Sequence, residues 1–298
     1  MDSEKCSLKI NATKRESFEI KILICETFIH YHTMEIFEIL GVFLALLIGV
    51  SLGLIGSGGS ILTVPILVYI VGVDPILATA YSLFIVGSTS LVGSVKNALE
   101  GNVHYKIALV FGIPSLIAVF LTRSELVPLL PDYIVLSNKT EIPKSKLIMV
   151  FFSIVMFAAS SRMIRKPRHK NIAKQEILTS FIPLASQGLL IGTISGLVGA
   201  GGGFLIIPTL VFFANLPMKK AIGTSLTIIA CQSLIGFTGD LAHQEIDWKL
   251  LLSFTSVSII GIFIGMRLSR KIMDGNLRRI FGWFILSISI YIIIKEIF

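Results

Sequence analysis

The chain is a succession of apolar runs separated by short polar segments, at about 36–54, 61–73, 75–95, 105–122, 147–164, 177–197, 204–216, 219–239, 247–269 and 277–296. Most approach the roughly 20 residues that carry a helix across the hydrocarbon core of a bilayer. Runs 61–73 and 204–216 fall short of that length. Each is a half-helix, a tilted span, or one arm of a re-entrant hairpin. Only 15% of the 298 residues are charged and 54% are hydrophobic, with a mean hydropathy of +0.85. A soluble domain carries about 25% charged residues, so this surface is not built for water. Disorder, a collagen-like fibre, a disulfide scaffold and a soluble catalytic domain are excluded together. The expected fold class is all-α, a polytopic membrane protein of nine or ten hydrophobic segments.

The net charge of +8 does not point to nucleic acid, because the basic residues sit between the apolar runs, where membrane topology signals occur. Arg162, Arg165, Lys166, Arg168, Lys170 and Lys174 form one such cluster, and Arg267, Arg270, Lys271, Arg278 and Arg279 another. Residues 1–34 are a mixed-charge N-terminal extension without the apolar core and cleavage site of a signal peptide, and Met34 offers a second start just before the first run. Cys6, Cys25 and Cys231 have neither zinc spacing nor an even framework, and read as packed or free thiols. Residues 123–146 are a long connection in which Pro128, Pro131 and Pro143 argue against one continuous helix.

A shift of 143 residues lays IGVSLGLIGSGGSILTVPILV (Ile48 to Val68) over IGTISGLVGAGGGFLIIPTLV (Ile191 to Val211), and the register runs on to Lys106 against Lys249. Five glycines (Gly49/Gly192, Gly53/Gly196, Gly56/Gly199, Gly58/Gly201, Gly59/Gly202) and Pro65/Pro208 coincide, which biased composition does not produce. The chain therefore divides into a first membrane repeat, 35–164, a basic linker, 165–176, and a second repeat, 177–298. Five segments per half is an odd number, so the halves enter the membrane from opposite sides, as inverted repeats. Both basic clusters then lie on one side.

Gly56-Ser57-Gly58-Gly59-Ser60 and Gly199-Ala200-Gly201-Gly202-Gly203 should each interrupt a helix, since glycine costs about 1 kcal/mol per helical position relative to alanine. Unwound backbone in a membrane survives only where it is buried in protein or lines a cavity. Paired interruptions at matching places in two halves point to a transporter's binding site. A resuming helix offers unpaired N–H groups and a positive dipole end, which suit a small anion. Ser57, Ser60 and Thr63 add hydroxyls in the first half, whereas the second offers backbone alone. The bland alternative is that these glycines only let helices pack closely, as Gly49/Gly53 and Gly192/Gly196 do by their spacing.

The paired breaks followed by proline (GSGGSILTVP and GAGGGFLIIP), each with a Ser-Leu about twenty residues on (Ala80-Tyr81-Ser82-Leu83 and Gly223-Thr224-Ser225-Leu226), resemble the TauE/SafE sulfite exporter family. The resemblance implies a multi-pass permease of the cell membrane that moves a small sulfur-containing or organic anion, such as sulfite, a sulfonate or sulfoacetate, usually outward. Two departures are visible: Ser60 ends the first break in place of glycine, and Tyr81 stands where the second half keeps Thr224. The two half-sites are expected to differ.

Ser82, Thr224 and Ser225 lie one helix beyond the breaks and are candidate hydroxyl donors to the anion, or else bond back to their own helices. Lys96 and Asn97 end the third run, with Gly239 and Asp240 opposite them in the repeat and His243 three residues on. These are candidates for a vestibule or for proton coupling, or simply solvated loop ends. Gln232, in mid-run, is either interhelical glue or a ligand. No GxxxxGK[ST] motif, catalytic triad or metal cluster stands out, so neither an enzyme nor a cofactor is expected. The expected partners are a small anion and the lipid bilayer, with self-association left open. The rivals are an importer or channel with the same site, and a membrane scaffold subunit.

Overall fold

A computed structural model describes residues 40–41, 43–56, 58–131, 133–137, 140–164, 181–199, 201–214, 216–241, 244–269 and 274–297. The N-terminal extension 1–34, the linker 165–176, and Ser57, Ala200 and His243 lie outside these residues. The chain divides at Val42, and the fold is that of Phe43–Phe298.

The first half comprises α1 (Phe43–Ile55), α2 (Gly58–Ile66), α3 (Pro75–Leu99), α4 (Tyr105–Leu121), a short α5 (Val127–Leu129) and α6 (Lys144–Ile164). The second comprises α7 (Phe181–Val198), α8 (Gly203–Phe212), α9 (Met218–Asp240), α10 (Trp248–Ser269) and α11 (Asp274–Ile297). Each expected apolar run coincides with one helix or helix pair. Among the described residues, four helices are long and apolar enough to cross a membrane: Pro75–Leu99, Tyr105–Leu129, Met218–Asp240 and Trp248–Ser269. The helices after the glycine breaks, α2 and α8, are only 9 and 10 residues long. The protein is an all-α polytopic membrane protein, with one addition the sequence did not suggest. The 123–146 connection holds a small antiparallel hairpin, β1 (Tyr133–Ser137) on β2 (Thr140–Pro143), with Tyr133 opposite Pro143.

Local chemistry sets the element ends. The Asp74 carboxylate accepts from Ile76 N at 2.9 Å, and Pro75 occupies the first turn of α3, where its missing N–H costs nothing. A five-residue π-turn, Leu67–Val71, extends α2, and a second, Thr122–Leu126, carries α4 into α5. Such π-turns in a helix cluster at functional sites because they re-aim side chains. The expected end of the fourth run at residue 122 is thereby corrected. The helix path continues to Leu129 and takes Arg123 inside, 1% exposed.

Polarity is distributed inside out. Ser60, Thr63, Ser82, Thr89, Ser90 and Ser258 are 0–1% exposed, whereas Leu91, Val95, Leu109, Ile113, Leu252 and Ile260 face outward. Small polar residues between helices and hydrocarbon outside is the arrangement lipid requires.

The halves interlock by exchanging equivalent contacts. A Cβ added at Gly49 would meet the Ser258 carbonyl and Gly261, and one at Gly192 would meet the Ser115 carbonyl and Ala118, the same positions 143 residues away. Gly93 lies against Ile262 and Leu226, and Gly236 against Val119 and Leu83. The repeat mates α3 and α9 run antiparallel along one another. The Phe84 and Phe237 rings pack tilted with centroids 5.0 Å apart, Gly87 lies against Ser233 and Leu234, and the Ser94 and Thr227 hydroxyls bond at 2.7 Å.

Candidate functional site

At the second break α7 ends with Gly199 N donating to Ser195 O at 2.8 Å. Gly199, Gly201 and Gly202 then take φ of 70°, 62° and 62°, a region that strains any residue with a Cβ. Helix α8 resumes with Leu205 N and Ile206 N bonded to Gly202 O. Three positive φ values turn the chain sharply enough for neighbouring polar groups to reach its backbone. A Cβ at Gly199 would strike Thr79 and the Arg123 Nη2, one at Gly201 the Ser233 hydroxyl, and one at Gly202 the Ser195 hydroxyl and Gln232.

Arg123 is the residue the sequence reading missed. Its Nη1 donates to Thr79 Oγ1 at 3.0 Å and to Asp240 Oδ1 at 3.3 Å, inside a pair whose side chains are 1% and 5% exposed. Its Nε and Nη2 have no hydrogen-bond partner among the described residues, and neither have the buried hydroxyls of Ser195 and Ser233. The Nε–H and Nη2–H bonds of a guanidinium are parallel and match two oxygens of one oxyanion. Nη1 is thus held by protein, while Nε and Nη2, beside the glycine break, are unpaired among the described residues.

Gln232 fixes the break from the other side. Its Nε2 donates to Gly201 O, and its Oε1 accepts from Ser115 Oγ at 2.5 Å, so it ties α9, α4 and the unwound backbone together. Of the two roles left open for it, interhelical glue is the one these bonds describe.

The first break differs. Gly56 has φ of 76°, but a Cβ there would meet the hydrocarbon of Ile222 and Ile207. Gly58 and Gly59 are helical, and Gly59 lies against the Ile48 carbonyl, a close-packing role. Ser60 is fully buried, and the Thr63 hydroxyl donates to Gly59 O at 2.9 Å within its own helix. The second half, read as offering backbone alone, gathers Arg123, Ser195, Gln232 and Ser233. The repeat explains why the charge is at one pole only. The mates of Thr79, Arg123 and Asp240 are Ile222, Met266 and Asn97, which cannot form an ion pair.

The remaining candidates are dispersed. Ser82 is buried, and its hydroxyl has no partner among the described residues. Ser225 Oγ donates to Ile222 O at 2.9 Å, along its own helix. Thr224 Oγ1 accepts from His104 N at 2.9 Å. Lys96 Nζ lies 5.8 Å from the centroid of Phe263, and Asn97 Nδ2 donates to Gly93 O. Asp240, weighed as a solvated loop end, is 4% exposed and paired. The sequence carried one signal for Arg123. Extending the 143-residue register places it opposite Met266, well inside an apolar run.

The family model described as sulfite exporter TauE/SafE matches residues 41–292. A probable membrane transporter protein of Xylella fastidiosa is 30% identical over 250 residues, covering 83% of this chain and 91% of its own. Probable membrane transporter proteins of Methanocaldococcus jannaschii and Bacillus subtilis are 26% and 25% identical, over 79% and 86% of this chain and 89% and 97% of theirs. No solved structure matches the chain. With polar groups inside, hydrocarbon outside, duplicated breaks, and a match that runs through both halves, the protein is a membrane transporter and belongs to the sulfite exporter TauE/SafE family.

Proposed function

We propose that the protein is a secondary transporter of the cell membrane that carries a small sulfur-containing or organic oxyanion, such as sulfite, a sulfonate or sulfoacetate. The observation that carries the reading is the Arg123 guanidinium, buried in a helical membrane protein, with Nη1 held by Thr79 and Asp240 and Nε and Nη2 open beside the unwound Gly199–Gly202 backbone. Intramembrane charges are kept where substrates pass. The anion takes the fork, with the Ser195 and Ser233 hydroxyls and the first-turn N–H groups of α8 as further donors. Antiparallel repeat mates α3 and α9 support inverted halves at 35–164 and 177–298 that rock to alternate access. The outward direction, like the choice of sulfur oxyanions, rests on the family's name.

Counterflow in proteoliposomes loaded with sulfite or isethionate tests the reading. Saturable exchange of these anions, none of tetramethylammonium, and loss of exchange in membrane-inserted Arg123→Met are expected. Wild-type exchange that ignores both anions, or an Arg123→Met variant with unaltered exchange, would sink it.

A further inference from the structure

Arg123 and Asp240 together carry no net charge, and the pair is nearly free of solvent. A singly charged oxyanion on the Nε/Nη2 edge would bring the buried group to −1, and an uncompensated charge away from water is strongly unfavourable. Several of the surrounding lysines stand far from the pair. On α9 itself Lys219 and Lys220 stand at the opposite end, about 30 Å away at 1.5 Å per residue. On α3, Lys96 is likewise at the far end, over Phe263, and Asp74 at the near end is acidic. Tyr105 and Lys106 begin α4 at its remote end. The π-turn also holds Glu125, which is exposed, and the segment after α9 brings Glu245 and Asp247, with Tyr81 on Asp247 N. Helices α7 and α8 hold no charged residue. Among the described residues at this end, Lys144, Lys146, Lys249 and Lys295 are outnumbered by Asp74, Glu125, Glu245, Asp247 and Glu296, and Lys144 Nζ donates to Leu130 O while Lys295 Nζ lies over the Tyr69 ring.

We propose that anion binding is accompanied by uptake of one proton on Asp240, so that anion and proton cross together. The balance is simple. An Asp240 carboxylate oxygen accepts the proton, the guanidinium keeps its own, and Arg123⁺, neutral Asp240 and the monoanion sum to zero. Empty and fully loaded sites are both neutral and can reorient within the membrane, whereas the site holding the anion alone cannot. Export then proceeds while the internal anion gradient outweighs any inward proton gradient, and reverses when it does not. This rests on the oxyanion reading above.

Isethionate is the probe, because a sulfonate stays singly charged across neutral pH and any proton counted belongs to the protein. Calorimetry of the full-length protein in two buffers of different ionisation enthalpy is expected to give about one proton taken up per anion bound, at a pH where Asp240 starts ionised. Infrared difference spectra of the wild type should show a carboxylate band replaced by a carboxylic-acid band on isethionate addition. Asp240→Glu should shift that band, and Asp240→Asn should abolish it. In liposomes an acid exterior should drive uphill isethionate uptake. Absence of saturable isethionate binding overturns the oxyanion reading and this proposal with it. Binding with no proton uptake, or with no carboxylic-acid band, overturns the coupling alone.

Discussion

The Tyr81 hydroxyl accepts a hydrogen bond from the backbone N–H of Asp247 at 2.6 Å. The positions 143 residues away do the same in mirror order, where His104 N donates to Thr224 Oγ1 at 2.9 Å. Each half thus uses a side chain near the start of its long helix to hold the entry of the other half's next helix. Tyrosine and threonine look unrelated in sequence but deliver a hydroxyl to equivalent amides, so the departure from the Thr-Ser-Leu pattern preserves the repeat's bond.

Tyr81→Phe removes only that bond and should lower stability by about 1 kcal/mol, the net worth of one hydrogen bond. Tyr81→Thr should cost more, because a 2% exposed ring leaves a cavity. Thermal unfolding of detergent-purified variants checks the order: wild type, then Phe, then Thr. A Thr variant as stable as wild type would show that the ring is not packed as described.

Two glycines of positive φ should behave in opposite ways. At Gly72, φ is 81° and an added Cβ meets nothing within 4 Å, so Gly72→Ala costs only the backbone strain, about 1 kcal/mol, and leaves anion exchange intact. At Gly199 the Cβ strikes Thr79 and Arg123 Nη2. Gly199→Ala should therefore displace the guanidinium and abolish isethionate counterflow. The comparison of flux between the two variants, at equal membrane content, isolates the contact from the strain.

Much of the architecture was legible because lipid leaves few options. Apolar runs of fixed length must be helices, and α3, α9 and α10 fall within a few residues of their expected bounds. The duplicated glycines located both breaks for the same reason. What escaped was the π-turn Thr122–Leu126, since nothing in Leu121-Thr122-Arg123-Ser124-Glu125 distinguishes a helix that continues with one extra residue per turn from a loop that begins. Arg123 was read as connection on that account. Asp240 was legible as a charge at a helix end, but its partner lies 117 residues away, and no local pattern encodes such a pairing.

Gln232→Leu should loosen the second break without touching the ion pair. It strips the Gly201 carbonyl of its donor and the buried Ser115 hydroxyl of its acceptor, which costs about 1–3 kcal/mol for each group left unsatisfied. Gln232→Glu keeps an acceptor for Ser115 but loses the amide donor to Gly201. Affinity for isethionate, measured by calorimetry, should fall in both. Unchanged affinity in Gln232→Leu would mean that the break holds its shape without the glutamine.

Removing one member of the buried ion pair should be worse than removing both. Arg123→Met leaves the Asp240 charge uncompensated, and breaking a buried pair from one side typically costs about 3–5 kcal/mol. The double variant Arg123→Met/Asp240→Asn installs at this pole the residues the repeat already keeps at the other, Met266 and Asn97. It replaces both charges at once and should recover most of the lost stability while remaining unable to exchange anions. Thermal unfolding and counterflow on the single and double variants separate the two effects. Recovery of stability without recovery of flux is the expected pattern. Recovery of both would make the guanidinium a structural strut, with the anion bound elsewhere.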